Sequence, residues 1–524
     1  MATSMDRRTF LTHSAALVGG AGLAATVGSA LTAAPARATT TLDYTSRETF
    51  DFFDATFHDG ERIGQPHHTN EAGQLAWSQS YVLAAFVKMY LAHRDTYYLD
   101  RLIHNTDIML TNRDSERGVH DYRGESLPAW RAMSRYTVGV AALLDGDGRP
   151  ALEVRSARAY SDTASVTVEH GDGDSFTLTV HNAQYDFTDT YAELSMEPGS
   201  SRDAVAQLYD GYPSSRTMAT ARRLESTGRP AAGTYPLVPQ PVIFSVHTGM
   251  ITYPLASFAR IVLRTPALRR NPTYRAKAEE YLDAVRAAVA VHDPEWRESE
   301  HGEGYYQWLK GMPVPYDGTA VPINQTTALG RTLVELAAAT GEGLYVERAT
   351  KVARMFRRQL IRDSAQTSIW PYWPDFSQVW SGYEQTGSPD TDVSIYSPHY
   401  GGNQAIEDCS HGAISADFAA LAKGHDVVFR TPDVRRIART FTRNLATVGA
   451  DGIATVHTRM DGTGEAPAGQ YLQAPRWMAV CPWNEGVFTH SRDIYDQRAP
   501  EPELGSSVLA VASLNWGAHR GGRP

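Results

Sequence analysis

The sequence predicts a mainly α fold, an (α/α)n toroid of repeated helical hairpins with a small β-rich insertion. Three observations lead there. Four segments share one plan: a long helical pattern, a short turn, then a second helix whose start carries related residues. The intervals between them run from about 20 to 130 residues, too uneven for a tetratricopeptide or HEAT array. One interval also switches from helical spacing to strict alternation.

Residues 1–38 read as an export signal. Asp6-Arg7-Arg8-Thr9-Phe10-Leu11 precedes a small, apolar stretch from Ser14 to Thr32, and Ala36-Arg37-Ala38 supplies an A-x-A cleavage site. This resembles a twin-arginine signal, which implies a secreted protein beginning at Thr39. The alternative is a membrane anchor, against which the stretch is short and Gly-rich, and no later segment has 18 consecutive apolar residues.

The first hairpin pairs Trp77 to His93 with a helix opening at Asp95-Thr96-Tyr97-Tyr98, so 39–117 is read as the first part of the toroid. Residues 118–240 are read as the β-rich insertion. Ala164, Val166 and Val168 alternate with polar residues, as do Phe176, Leu178 and Val180, and Gly171-Asp172-Gly173-Asp174 supplies the turn of a β-hairpin. Tyr185 to Ser195 suits a further strand. The toroid resumes over 241–524. His247 to Arg264 precedes Pro272-Thr273-Tyr274, Asn324 to Thr340 precedes Gly343-Leu344-Tyr345, and Ser410 to Gly424 precedes Thr431-Pro432-Asp433.

Composition narrows the function. A 524-residue chain with 42% hydrophobic and 21% charged residues is globular, and its net charge of -10 argues against a nucleic-acid partner. Two cysteines exclude a disulfide framework and a Cys-based zinc site, though Cys409 and Cys481 remain a possible pair in an exported protein. The chain has no G-x-S-x-G elbow, P-loop, H-E-x-x-H or dinucleotide fingerprint, and no cofactor is expected.

The polar residues that open the first helices are the candidate site. Asn70, Trp77 and Gln79 stand at the first hairpin, His247 at the second, Asn324 and Gln325 at the third, and Glu407, Asp408 and His411 at the fourth. If these helices form an inner ring, their starts share one end of it. Helix capping is the competing explanation for Ser78, Thr248, Asn324 and Ser410. Tyr305 and Tyr306, then Trp370 and Trp373, lie in aromatic clusters suited to stacking on sugar rings, or to folding back on the core. Arg131 or Arg123 offers a cation for an acidic substrate. Glu407, Asp408 and His411 also have metal-ligand chemistry, but no metal is expected.

With these residues in place, the chain resembles the α/α-toroid carbohydrate-active enzymes of exported bacterial proteins, namely polysaccharide lyases and the helical domain of glucuronyl C5-epimerases. His247-Thr248-Gly249-Met250, opening a helix with Pro254, Leu255, Phe258 and Ala259, is similar to the epimerase helix opening. The hairpins span about half of the mature chain, and no full catalytic motif is matched residue by residue. The resemblance implies removal of a proton from the carbon beside a uronate carboxylate. That step needs a group to neutralise the carboxylate and a base, for which His247, Asn324, His411, Tyr305 and Tyr306 are the candidates. The expected activity is β-elimination on an acidic polysaccharide or oligosaccharide. The alternatives are a glycoside hydrolase using Glu303 with Glu407 or Asp408, a uronyl epimerase, and a glycan-binding protein without chemistry.

Overall fold

The computed structural model describes residues 42–59, 68–133, 135–159, 161–210, 219–388, 390–395 and 397–519. The proposed export signal lies outside them. The described chain is mainly helical, with several small sheets.

The helical part is built from hairpins: α1 (Arg47–Asp59), α2 (Ser80–His93), α3 (Tyr97–Leu110), α4 (Ser245–Arg264), α5 (Pro272–Ala290), α6 (Ile323–Thr340), α7 (Gly343–Arg358), α8 (Cys409–Gly424), α9 (Thr431–Thr440), α10 (Gly486–Gln497) and α11 (Gly505–His519). Local sequence sets their ends. Asn271 caps α5 by accepting from the Thr273 and Tyr274 amides, with Pro272 in the first turn, where its missing N–H costs nothing. Gly341 ends α6 at φ 74°, a left-handed conformation that a Cβ would strain.

The order of packing is cyclic. Helix α2 lies against α4, α4 against α6 and α6 against α8. Helix α8 meets a 3₁₀ segment, Ala474–Trp483, which meets α11, and α11 returns to α2. Helices α3, α5, α7 and α9 each pack on the helix that precedes them in their hairpin. The cyclic helices carry the apolar core, including Phe86, Leu255, Phe258, Leu329, Leu333, Phe418 and Val511, all buried. Helices α4 and α6 approach closely: a Cβ on Gly249 would fall 2.4 Å from the Leu329 backbone nitrogen.

Between the first two hairpins lie two four-stranded antiparallel sheets. Strands β1 (Gly139–Leu144), β2 (Pro150–Ser156), β3 (Ala164–His170), β4 (Phe176–Asn182), β5 (Phe187–Leu194), β6 (Ala219–Arg223), β7 (Gly233–Pro236) and β8 (Val238–Pro239) pair in the orders β6-β2-β1-β8 and β5-β4-β3-β7. The hairpin register sets Val166 opposite Val180 and Val168 opposite Leu178, so the alternating residues share one buried face. That face belongs to a core separate from the helical one. Arg155 ties the insertion to the helical part by donating to the Met312 and Val314 carbonyls at 3.2 and 2.8 Å.

Cys409 and Cys481 are both buried, and no disulfide joins them. No helix among the described residues is long and apolar enough to cross a membrane.

Candidate functional site

The first turns of α4, α6 and α8, with the π-helical turn Leu75–Gln79 before α2, open onto one cavity of about 750 Å³, counting the part open to solvent. Six of the residues singled out from the sequence line it: Trp77, His247, Asn324, Gln325, Trp373 and His411.

Capping does not account for them. Helices α2, α4 and α6 have no side-chain cap, and the residues at their cap positions are Gln79, Phe244 and Pro322. In α8 the cap is Asp408, whose Oδ1 accepts from the Ser410 and His411 amides at 2.8 and 3.0 Å. Its Oδ2 accepts from His411 Nδ1 at 2.5 Å. Burial would raise the Asp408 carboxyl, but the His411 charge and the hydrogen bonds from His411 and Ser410 outweigh it and hold the group far below the usual carboxylate range. With Nδ1–H committed to Asp408, the lone pair of a neutral His411 is on Nε2.

His247 is held differently. Trp77 Nε1 donates to its Nε2 at 2.9 Å, and the Asn70 amide nitrogen approaches its Nδ1 at 3.1 Å. The Asn70 amide is oriented by two other bonds: its oxygen accepts from the Ala76 amide and its nitrogen donates to the Trp130 carbonyl. Both ring nitrogens of His247 therefore face donors, and neither meets an acceptor that would stabilise an imidazolium. Burial lowers its pKa to about 3, so the ring is neutral at working pH and does not supply the cation that uronate chemistry asks for.

Polar groups in the wall are left unsatisfied. Asn324 Nδ2, Gln325 Oε1, Trp308 Nε1 and the Tyr372 hydroxyl are buried and complete no hydrogen bond among the described residues, although the Asn324 amide lies beside Tyr372. Buried polar groups without partners are costly, and groups like these facing a cavity suit a polar ligand. Burial, reinforced by Glu407 and Asp408, raises the Tyr372 pKa well above 10.0, so its hydroxyl stays protonated. The His411 and Tyr372 rings meet edge to face with centroids 5.8 Å apart.

Arg135 also lines the cavity and forms no ion pair with any described residue. Arg131 does not reach it. Its guanidinium pairs with Glu71 at 3.3 Å and donates to the His120 carbonyl, while Arg123 pairs with Asp121 at 3.0 Å. Tyr136, Phe244, Trp308, Tyr316 and Trp373 complete a largely aromatic wall.

Several sequence candidates lie elsewhere. Gln79 is buried and donates to Asn105 at 3.0 Å. Tyr306 is buried between Trp296 and His292, Tyr305 packs on Phe376, and Trp370 packs on Phe356 in the helical core. In the Gly304–Tyr306 strand and the residues after it, the buried position falls at Tyr306, and Trp308 takes the place at the cavity. Glu407 lies behind the wall, fully buried. One oxygen accepts from the Asp408 amide and the other has no partner, and burial with the Asp408 charge raises its carboxyl well above the ordinary range. Glu303 is buried and paired with Arg358 at 2.6 Å.

Among the described residues, Glu407, Asp408 and His411 form a group whose potential metal-ligand atoms lie within 4.8 Å of one another. The Asp408–His411 bond already uses Oδ2 and Nδ1.

No family model and no curated protein matches the sequence. Among solved structures, the chain is similar to a D-mannose isomerase at 11% identity and TM-score 0.41, covering 92% of this chain and 100% of that one. It is also similar to an inactive variant of a Salegentibacter α-1,6-mannanase in complex with α-1,6-mannotetrose (8%, TM-score 0.32, 52% and 76% covered). A third is a polysaccharide lyase (10%, TM-score 0.29, 89% and 96% covered). All three are named as enzymes of carbohydrates.

Proposed function

We propose that the chain is an exported α/α-toroid enzyme that cleaves a uronic-acid-containing polysaccharide by β-elimination. The cyclic packing of α2, α4, α6, α8, the Ala474–Trp483 segment and α11 supports the toroid, and the twin-arginine segment supports export.

One observation carries the reaction. The described cavity wall has an unpaired arginine, unsatisfied amide groups and a carboxylate-held histidine, yet no carboxylate lines it. A glycoside hydrolase of the usual kind needs two carboxyl groups flanking the scissile bond. Here Glu303 is engaged by Arg358, Glu407 is buried behind the wall and Asp408 is engaged by His411 and the α8 amides. Elimination needs none of them at the sugar. Arg135, with Asn324 and Gln325, would neutralise the uronate carboxylate and lower the cost of charge spreading into it. Nε2 of His411 would take the C5 proton, with Asp408 stabilising the imidazolium that forms. The C5–H electron pair becomes the C4–C5 double bond as the C4–O bond breaks. Tyr372, kept protonated by its surroundings, would donate to the departing oxygen. The aromatic wall suits stacking on sugar faces.

The test is incubation of the mature chain with a panel of acidic polysaccharides. Elimination gives an unsaturated uronate, seen by its ultraviolet absorbance, with one new reducing end per double bond. Saturated products would reassign the chain as a hydrolase, C5 inversion without cleavage as an epimerase, and saturable binding without turnover as a glycan-binding protein.

A further inference from the structure

The helices that open onto the first cavity run on into a second one of about 450 Å³, counting the part open to solvent. Tyr253, Arg331 and Asp417 line it, six or seven residues beyond His247, Asn324 and His411 on α4, α6 and α8. That places them roughly 10 Å further along the helices. Lys88 of α2 and Arg476 of the 3₁₀ segment complete its charged lining.

The charges do not balance. Three cations, Lys88, Arg331 and Arg476, share the wall with one carboxylate, and Asp417 is already paired with Arg331 at 2.9 Å. Lys88 makes no hydrogen bond or ion pair with a described residue, and its ammonium lies 5.3 Å from the centroid of the Trp516 ring. Arg476 donates to Gln473 at 3.0 Å and covers the Tyr81 ring, with no carboxylate partner among the described residues. Arg331 is 6% exposed, and its Nε has no hydrogen-bond partner. Ser80 and Ser513, also in the wall, give their hydroxyl protons to carbonyls one turn earlier at 2.6 and 2.8 Å. Net positive charge therefore converges on this space, with two of its three cations lacking a carboxylate partner among the described residues.

We infer that this second cavity is a binding site for a tetrahedral oxyanion, sulfate or phosphate, held by Lys88, Arg331 and Arg476. The donor set fits that class: Arg331, whose terminal nitrogens are given to Asp417 and Met250, keeps Nε to donate, the Arg476 guanidinium offers a second donor, and the Lys88 ammonium serves as a point charge. Burial pushes the Lys88 ammonium down against the pull of Asp417 and with the push of Arg331, strain that a bound anion would relieve. The inference uses residues outside the first cavity and stands apart from the lyase reading.

The experiment is calorimetric titration of the mature chain with sodium sulfate, against sodium chloride at matched ionic strength. One saturable sulfate per chain is expected. Lys88→Met should weaken it by about tenfold or more, the usual scale for a lost charge-assisted hydrogen bond, and Lys277→Met, on α5 and outside the lining of both cavities, should leave it unchanged. Arg476→Gln serves as the second variant should Lys88→Met fail to fold. A hexose 6-sulfate titrated in the same way identifies the source: tighter binding of the ester assigns the site to a sulfated sugar, tighter binding of the inorganic ion to the free anion. No saturable uptake of either, or equal affinity in wild type and both folded variants, would overturn the inference.

Discussion

Asp408 accepts from His411 Nδ1 with one carboxylate oxygen while the other caps the helix that carries His411. One side chain thus fixes where the helix begins and how its histidine is aimed, and the two jobs can be separated. Asp408→Asn keeps an oxygen for the cap but turns an N–H toward Nδ1, which moves the ring proton to Nε2. Turnover should fall by about 10² or more, the scale of a lost general base, with little change in melting temperature. Asp408→Ala should lose turnover similarly and also about 1 kcal/mol of stability with the cap. Near-normal turnover in a folded Asp408→Asn variant would remove His411 as the base.

His247 makes a prediction about pH. Its folded pKa is lowered to about 3 from the ordinary 6.5. Below pH 6.5 the unfolded chain takes up a proton that the folded chain refuses until about pH 3, so this group's contribution is fully present above 6.5 and is lost as pH falls. The loss should come to about 2 kcal/mol between pH 7 and pH 5. His247→Gln retains an acceptor for Trp77 and cannot be protonated, so its urea midpoint should change less over that interval. Parallel pH profiles for the two proteins would show that the buried ring is not the cause.

The sequence carried the helices better than the site. Runs such as Asn324 to Thr340 are long and periodic, and the alternating Val166, Val168, Leu178 and Val180 mark a hairpin whose register the structure shows. The starts of those runs also point to the cavity, because the first turns of neighbouring helices open at one end. The loops that close the cavity leave no such trace. Arg135, Tyr136 and Tyr316 belong to irregular segments with no periodicity, and nothing in the sequence sets Arg135 apart from Arg123 and Arg131, which the structure pairs with Asp121 and Glu71. Tyr306 and Trp308 differ by the choice of which face is buried, and that choice is made by Trp296 and His292, distant in neither space nor sequence but silent in pattern. Capping, the competing explanation, fails at α4 and α6 because Phe244 and Pro322 occupy positions where an oxygen-bearing side chain is usual.

Arg135 should act on the acidic group of the substrate. On a uronate polysaccharide, Arg135→Gln should lower kcat/KM by about 10² or more, the scale for removing a positioned charge-stabilising group. On the same polysaccharide with its carboxyls reduced, binding by wild type and variant should be alike, because the group that Arg135 meets is gone. An equal loss of binding on both substrates would mean that Arg135 supports the wall instead of reading the carboxylate.

Gly249 tests whether helix contact holds the site in register. A Cβ there would lie 2.4 Å from the Leu329 backbone nitrogen and 2.5 Å from the Ala328 carbonyl carbon, so the obstruction is backbone and cannot swing aside. Alanine is the better helix former, by about 1 kcal/mol in an unobstructed helix, so a loss of stability would have to come from forcing α4 and α6 apart. Gly249→Ala should cost about 1–3 kcal/mol, as overpacking typically does. It should also lower turnover in the folded fraction, since His247 lies two residues before the contact and Asn324 and Gln325 begin the facing helix. Gly424→Ala is the control, because a Cβ there meets nothing within 4 Å and the same substitution should be neutral or mildly stabilising. Equal melting temperatures for Gly249→Ala and wild type would show that α4 and α6 can separate without strain, and the register argument would fail with it.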